Sequence, residues 1–248
     1  MVRVSGAIAA NHITFIDSVS VAISENISNL SGEDALIESY SRIAAVNALK
    51  VDLINQYFPS DAAQFFFEAH NDAILSHVNA SFGCWRPALQ SLRSFMENTF
   101  SSIYYAEHPV ELEKWKNGNF YIQPKDLREY VVEHPKVQKL ASSIGLKSLL
   151  DTEYATLSKA VHASNSLFRM TSADGKTSIA KPNMADLGKW ATRERSTVNL
   201  CVTIILSVMR DHLDGAKLPN LRDALGIALN SNCRSALRTH SSISIPTP

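Results

Sequence analysis

Apolar and polar positions recur at helical spacing along most of the chain. Ser31, Gly32, Glu33 and Asp34 predict a helix start with acids in the first turn. Behind them Leu36, Tyr40, Ile43, Val46, Leu49, Leu53, Ile54 and Phe58 hold one period until Pro59 stops it. Ser60 and Asp61 open a third helix that Phe82 and Gly83 end. The best-patterned stretch is 85–105, WRPALQSLRSFMENTFSSIYY. At about 100° per residue, Trp85, Ala88, Leu89, Leu92, Met96, Thr99 and Ile103 form one stripe. Arg86, Arg93, Glu97 and Tyr104 line its shoulder, and Pro87 sits in the first turn, where a missing N–H costs nothing.

The remaining pattern predicts short helices over 110–118, 127–134 and 136–144, the last closed by Gly145, with NFYIQ as an extended connector. A firm helix follows over 146–164. Two β-leaning pieces around Asp174–Gly175 predict a hairpin insertion near 166–180. A long helix over 185–213 and an amphipathic one over 221–229 complete the pattern. Residues 1–27 show no clean period and predict only a loose helix, and 241–248 read as a disordered tail. No internal repeat or linker divides the chain. The expectation is an all-α single domain, 1–240, built as an antiparallel bundle of the long helices with a small β-hairpin.

Composition narrows the function classes. The 248 residues suffice for a substantial core, and 24 basic residues balance 24 acidic ones. The electrostatic footprint of a dedicated nucleic-acid binder is missing. Cys84, Cys201 and Cys233 are odd in number and far apart, so thiols in a reducing, cytoplasmic setting are expected. No apolar run approaches the ~20 residues of a membrane span, and no membrane partner is expected.

Candidate chemistry is sparse. Arg supplies a planar fork for phosphate or carboxylate, and Glu97 could hold an Arg or a His tautomer in place. Tyr154, Ser158 and His162, spaced i, i+4, i+8, form a second polar row on the 146–164 helix. If the two helices pack side by side, the rows meet. The resulting site would be either chemical, with His162, Arg93 and Glu97 as catalytic candidates and Arg86, Tyr104, Tyr154 and Ser158 as binding ones, or a satisfied polar layer that sets helix register. His70 and His77 share a helix face near Glu68, Asp72 and Glu97, but no Glu-x-x-His is present and no metal or other cofactor is expected. Arg128…His134 and Arg234…His240 each carry five intervening residues, a spacing that could serve metal-free RNA cleavage. Phosphate loops, zinc spacings and nucleophile elbows are absent.

Three segments together, WRPALQSLRSFMEN, YYAEHPVELEKW and YATLSKAVHAS, resemble the HEPN-like helical proteins of prokaryotic antiviral defence and toxin–antitoxin systems, over about 61–213. The resemblance implies an up-and-down bundle that often forms homodimers. It implies either a ribonuclease working through an Arg-x4–6-His motif or an inactive relative that binds RNA or a protein encoded nearby. The long 185–213 helix carries Arg193, Arg195 and Arg210 but no His at the required spacing. The expectation is therefore an accessory or effector module of an anti-phage or stress system. A metal-independent endoribonuclease toxin and a purely structural dimeric interaction protein are the alternatives.

Overall fold

The computed structural model describes residues 2–161, 170–171, 179–180, 183–213 and 219–247. Among these, the protein is all-α and contains no strand. Twelve α-helical segments are named in chain order: α1 (Val2–Leu30), α2 (Asp34–Leu49), α3 (Asn55–Tyr57), α4 (Ser60–Ser81), α5 (Trp85–Glu107), α6 (Pro109–Lys116), α7 (Pro124–Glu133), α8 (Gln138–Ile144), α9 (Leu146–Val161), α10 (Met184–Val208), α11 (Pro219–Ala228) and α12 (Ser231–Ser241). The hairpin expected near 166–180 falls mostly outside the described residues, and Met170, Thr171, Ile179 and Ala180 form no strand.

Helix α5 is the axis of the bundle. It packs on α4, α10, α9 and α7. The predicted stripe is buried, and Phe95, Phe100 and Tyr105 widen it so that apolar surface covers most of the helix. Burying each of Leu89, Leu92, Phe95, Met96, Phe100 and Ile103 contributes about 1.5–3 kcal/mol relative to exposure. Gly83, at φ 70°, lets the chain turn tightly from α4 into α5. Gly145, at φ 64°, makes the same left-handed turn between α8 and α9.

The single helix expected after Ser31 is interrupted. A π-helical turn, Lys50–Ile54, separates α2 from α3 and buries the adjacent Leu53 and Ile54. Asn183 caps α10 with its side chain, accepting from the amides of Ala185 and Asp186. The rest of α10 from Thr197 to Val208 is wholly buried, as its apolar run implies, and it ends sooner than expected in a 3-10 turn, Arg210–His212.

Inside the core, α10 meets α2 through an ion pair. Arg42 Nε donates to Glu194 Oε2 at 2.7 Å, and both side chains are almost fully buried. Burial holds the Glu194 carboxyl up at about 7, against the pull of Arg42. Trp190 Nε1 donates to Ser76 Oγ at 3.0 Å and ties α10 to α4. Helix α12 was not legible in the sequence pattern. It packs on α10 and α8, and Asn230 caps it by accepting from the Cys233 amide. Beyond it, the segment expected to be a disordered tail carries Ile243 and Ile245 packed against the core.

Helix α1 departs most from expectation. It is one continuous helix that touches the body only near its C-terminal end. There Leu30 and Asn26 are buried, and Asn26 Nδ2 donates to Phe82 O at 2.9 Å. The earlier turns expose Ile8, Ile13, Phe15 and Ile16. By length and composition alone, Gly6–Leu30 (mean hydropathy 1.3) is a candidate for crossing a membrane.

Candidate functional site

The two polar rows meet at their centres. Helix α5 presents Arg93 and Glu97 one turn apart, and Arg93 Nε donates to Glu97 Oε1 at 2.9 Å. Helix α9 packs alongside and brings Tyr154, whose hydroxyl donates to the same Glu97 oxygen at 2.6 Å. The Arg93 guanidinium carbon lies 4.9 Å from the centre of the Tyr154 ring. Arg128, from α7, approaches the same ring at 3.9 Å. Its Nε donates to Asp151 Oδ1 at 3.1 Å and its Nη1 to Pro124 O at 2.9 Å. Lys147 Nζ closes the far side of Asp151 at 2.8 Å. The result is a mixed-charge belt, Arg93–Glu97–Tyr154–Arg128–Asp151, across α5, α9 and α7.

The surroundings shift Tyr154, Arg93 and Asp151 away from titration near neutral pH. Burial, and then the hydrogen bond to Glu97, push the Tyr154 phenol up to about 12, so it remains a donor. Burial works against the Arg93 charge, but the bond to Glu97, the Glu97 charge and Tyr154 together outweigh it and the net shift is upward. The hydrogen bond from Lys147, followed by that from Arg128, holds the Asp151 carboxyl below its usual range. Next to the belt, Asn98 Nδ2 donates to Asp72 Oδ2 at 2.8 Å. Burial there outweighs the bond, and neighbouring Glu68 and Glu97 add to it, so the Asp72 carboxyl is raised to about 6.

The outer members of the predicted rows lie elsewhere. Arg86 is half-buried in the first turn of α5, two turns before Arg93. Tyr104 joins a second cluster, stacking on His108 with centroids 4.1 Å apart and meeting the Tyr130 ring edge-on at 5.1 Å. Ser158 Oγ is buried with no hydrogen-bond partner among the described residues. His162 lies outside the described residues.

The second cluster surrounds Glu107, the last residue of α5. Tyr130 donates its hydroxyl to Glu107, and His134 Nε2 lies 3.0 Å from Glu107 Oε1. Burial raises the Glu107 carboxyl, but the bonds from Tyr130 and His134 outweigh it and the net shift is downward. The backbone N–H of Lys136 donates to His134 Nδ1 at 3.2 Å. Nδ1 is thus the acceptor and Nε2 carries the proton that goes to Glu107. Both ring nitrogens are engaged by hydrogen bonds within the protein.

In neither Arg-x5-His pair does the arginine touch its histidine among the described residues. Arg128 is engaged with Tyr154 and Asp151, while His134 is sealed against Glu107. Arg234 spends Nη1 on the carbonyls of Gly226 and Leu229, at 2.7 and 3.0 Å, and so ties α12 to the end of α11. His240 lines a separate cavity of about 630 Å³ with Arg210 and Arg222. The histidine pair on α4 also diverges: His70 Nδ1 faces Lys50 Nζ at 3.5 Å and His77 Nδ1 faces Ser39 Oγ at 3.2 Å. Among the described residues, no three His, Cys, Asp or Glu side chains gather as a metal site.

Sequence reasoning missed Arg128 as a partner of Tyr154, Asp151 as the partner of Arg128, and Glu107 as the anchor of Tyr130 and His134. The signal for Glu107 was present in YYAEH, three residues past Tyr104 on the same helix face. Arg128 and Asp151 come from separate helices, and no spacing announces them. Compared with known proteins, the chain matches no family model, no curated protein and no solved structure. Fold and site together define an all-α helical bundle with a mixed-charge belt on one flank.

Proposed function

We propose that this chain is a binding module that recognises a protein partner through the α5–α9–α7 belt, and does not cleave RNA. One observation carries the reading. Both arginines of the belt are committed to carboxylates, Arg93 to Glu97 and Arg128 to Asp151. A phosphate backbone is held by cations whose charge is uncompensated. Here each guanidinium already faces an anion, and the whole chain is balanced at 24 basic and 24 acidic residues. A partially exposed surface of alternating sign suits the polar contacts of a protein interface, where charge pattern sets register and partner choice. The HEPN-like resemblance supplies the setting, an accessory role in a prokaryotic defence or stress system.

The test uses the full chain as bait, with a charge-swapped Arg93→Glu/Glu97→Arg variant as control. The swap keeps the helical pair and inverts its direction. Circular dichroism establishes that the variant is folded. A protein retained by the wild type and lost from the swap supports the reading. Retention of the same protein by both contradicts it, and assigns the belt to structure. Recovery of RNA in place of protein contradicts it as well.

A further inference from the structure

A cavity of about 630 Å³ lies where α10, α11 and α12 converge on the C-terminal segment. That size suits a small organic molecule. Leu206, Leu221 and Leu225 form its buried floor, and the half-buried Leu213, Ile243 and Ile245 offer apolar surface to it. Two backbone features seat the wall that the C-terminal segment contributes. Ser242, left-handed at φ 58°, turns the chain back after α12. Gly226 leaves room for the Pro246 carbonyl oxygen, which a Cβ there would meet at 2.9 Å. Ile243 and Ile245 then pack against the core.

Charge on the rim is not balanced by the chain itself. Arg210, Arg222 and His240 line the cavity, and Asp211 is the acid among the lining residues. Asp211 is already engaged. Lys136 Nζ lies 2.6 Å from its Oδ2, and that hydrogen bond does most to hold its carboxyl below the usual range. Arg210 Nε stands 3.6 Å from the other oxygen. Arg210 and His240 also sit at the C-terminal ends of helices, where a cation complements the helix dipole. Arg222 has neither explanation. It falls in the first turn of α11, where the dipole opposes a cation and no acid is present. It makes no ion pair with a described residue, and its neighbour Asp223 lies about 100° round the helix and does not line the cavity.

We infer that this cavity binds a small monocarboxylate with an aliphatic body. Arg222 supplies the planar fork that a carboxylate fits, and the Ser242 and Ser244 hydroxyls and the His240 ring add donors beside it. One uncommitted guanidinium matches one negative charge. A phosphate monoester brings a second charge, for which the rim holds no unpaired guanidinium. The aliphatic body covers the apolar surface of Leu213, Ile243 and Ile245. The bound anion also offsets the unfavourable place of Arg222 at the start of α11. The inference is independent of what the α5–α9–α7 belt binds.

Titration calorimetry of the full chain with octanoate, kept below its micellar range, tests it. The wild type is expected to bind octanoate saturably, and Arg222→Gln at least about tenfold more weakly. Octanol keeps the body and lacks the charge; inorganic phosphate has charge and lacks the body. Each is expected to bind the wild type at least about tenfold more weakly than octanoate does. Arg238→Gln, exposed on α12 and outside the cavity, is expected to leave octanoate binding unchanged, with circular dichroism showing that both variants fold. Methyl spectra locate the ligand, with octanoate expected to shift Ile243 and Ile245. Absence of saturable binding overturns the inference, as does octanoate binding that Arg222→Gln leaves intact or that Arg238→Gln weakens equally. Octanol or phosphate binding as tightly as octanoate overturns it too. So do methyl shifts confined to Ile8 and Ile13, which would place octanoate on the exposed turns of α1.

Discussion

Tyr154 and Glu97, 57 residues apart in sequence, share a 2.6 Å hydrogen bond that locks α9 to α5. The same carboxylate oxygen accepts from Arg93, so one acid fixes both the tyrosine and the arginine. Removing the tyrosine hydroxyl leaves Glu97 with one donor fewer and Arg93 with a looser clamp. In a double-mutant cycle, Tyr154→Phe and Glu97→Gln are expected to couple by about 1–2 kcal/mol in urea unfolding. Additive effects of the two substitutions would show that the bond carries no net stability.

The Arg42–Glu194 pair sits deeper and carries a larger penalty when broken. Arg42→Met strands a buried carboxylate and is expected to lower stability by about 3–5 kcal/mol. Adding Glu194→Leu removes the stranded acid and recovers most of that loss. The measurement is the midpoint of urea unfolding for the two variants. An Arg42→Met protein as stable as the wild type would show that the pair is not needed to hold α10 against α2.

Asp72 gives a pH signature of known sign. Its carboxyl is raised from 3.8 to about 6, so the folded state binds more protons than the unfolded one within that window. The stability associated with protonated Asp72 is complete below about pH 4 and is lost as pH rises through 6. Relative to Asp72→Asn, the wild type should lose about 1–2 kcal/mol between pH 4 and pH 7, the partial exposure of the group being allowed for. Thermal melts of both proteins across that range measure the difference. A wild type that gains on the variant as pH rises would reverse the assignment.

His134 has a defined tautomer, set by the Lys136 amide on one side and Glu107 on the other. Long-range 15N–1H correlation spectra at neutral pH are expected to show the proton on Nε2 and an unprotonated Nδ1. A proton on Nδ1 would contradict the assignment of Lys136 N–H as donor to that nitrogen.

Helix boundaries were legible wherever local chemistry marks them: Pro59 before α4, Pro87 in α5, and Gly145 at its left-handed turn. Helix α12 was illegible because its apolar face is only Cys233, Ala236, Leu237 and small neighbours. In α1, His12 and Asn26 interrupt the apolar side and blur its period. The meeting of Arg93, Glu97 and Tyr154 could be read from two helical rows. Arg128 and Asp151 could not, since their approach depends on how α7 crosses α9. The buried Arg42–Glu194 pair was hidden for the same reason, since its members lie 152 residues apart.

The account turns on a polar belt whose cations already face carboxylates and on a His134 whose ring nitrogens are both engaged within the protein. Incubating the purified full chain with total cellular RNA at physiological salt, then separating the mixture on a native gel, addresses both at once. The expected result is RNA of unchanged length and no retained complex. Shortened fragments, or a retained complex that dissociates as salt is raised, would contradict it.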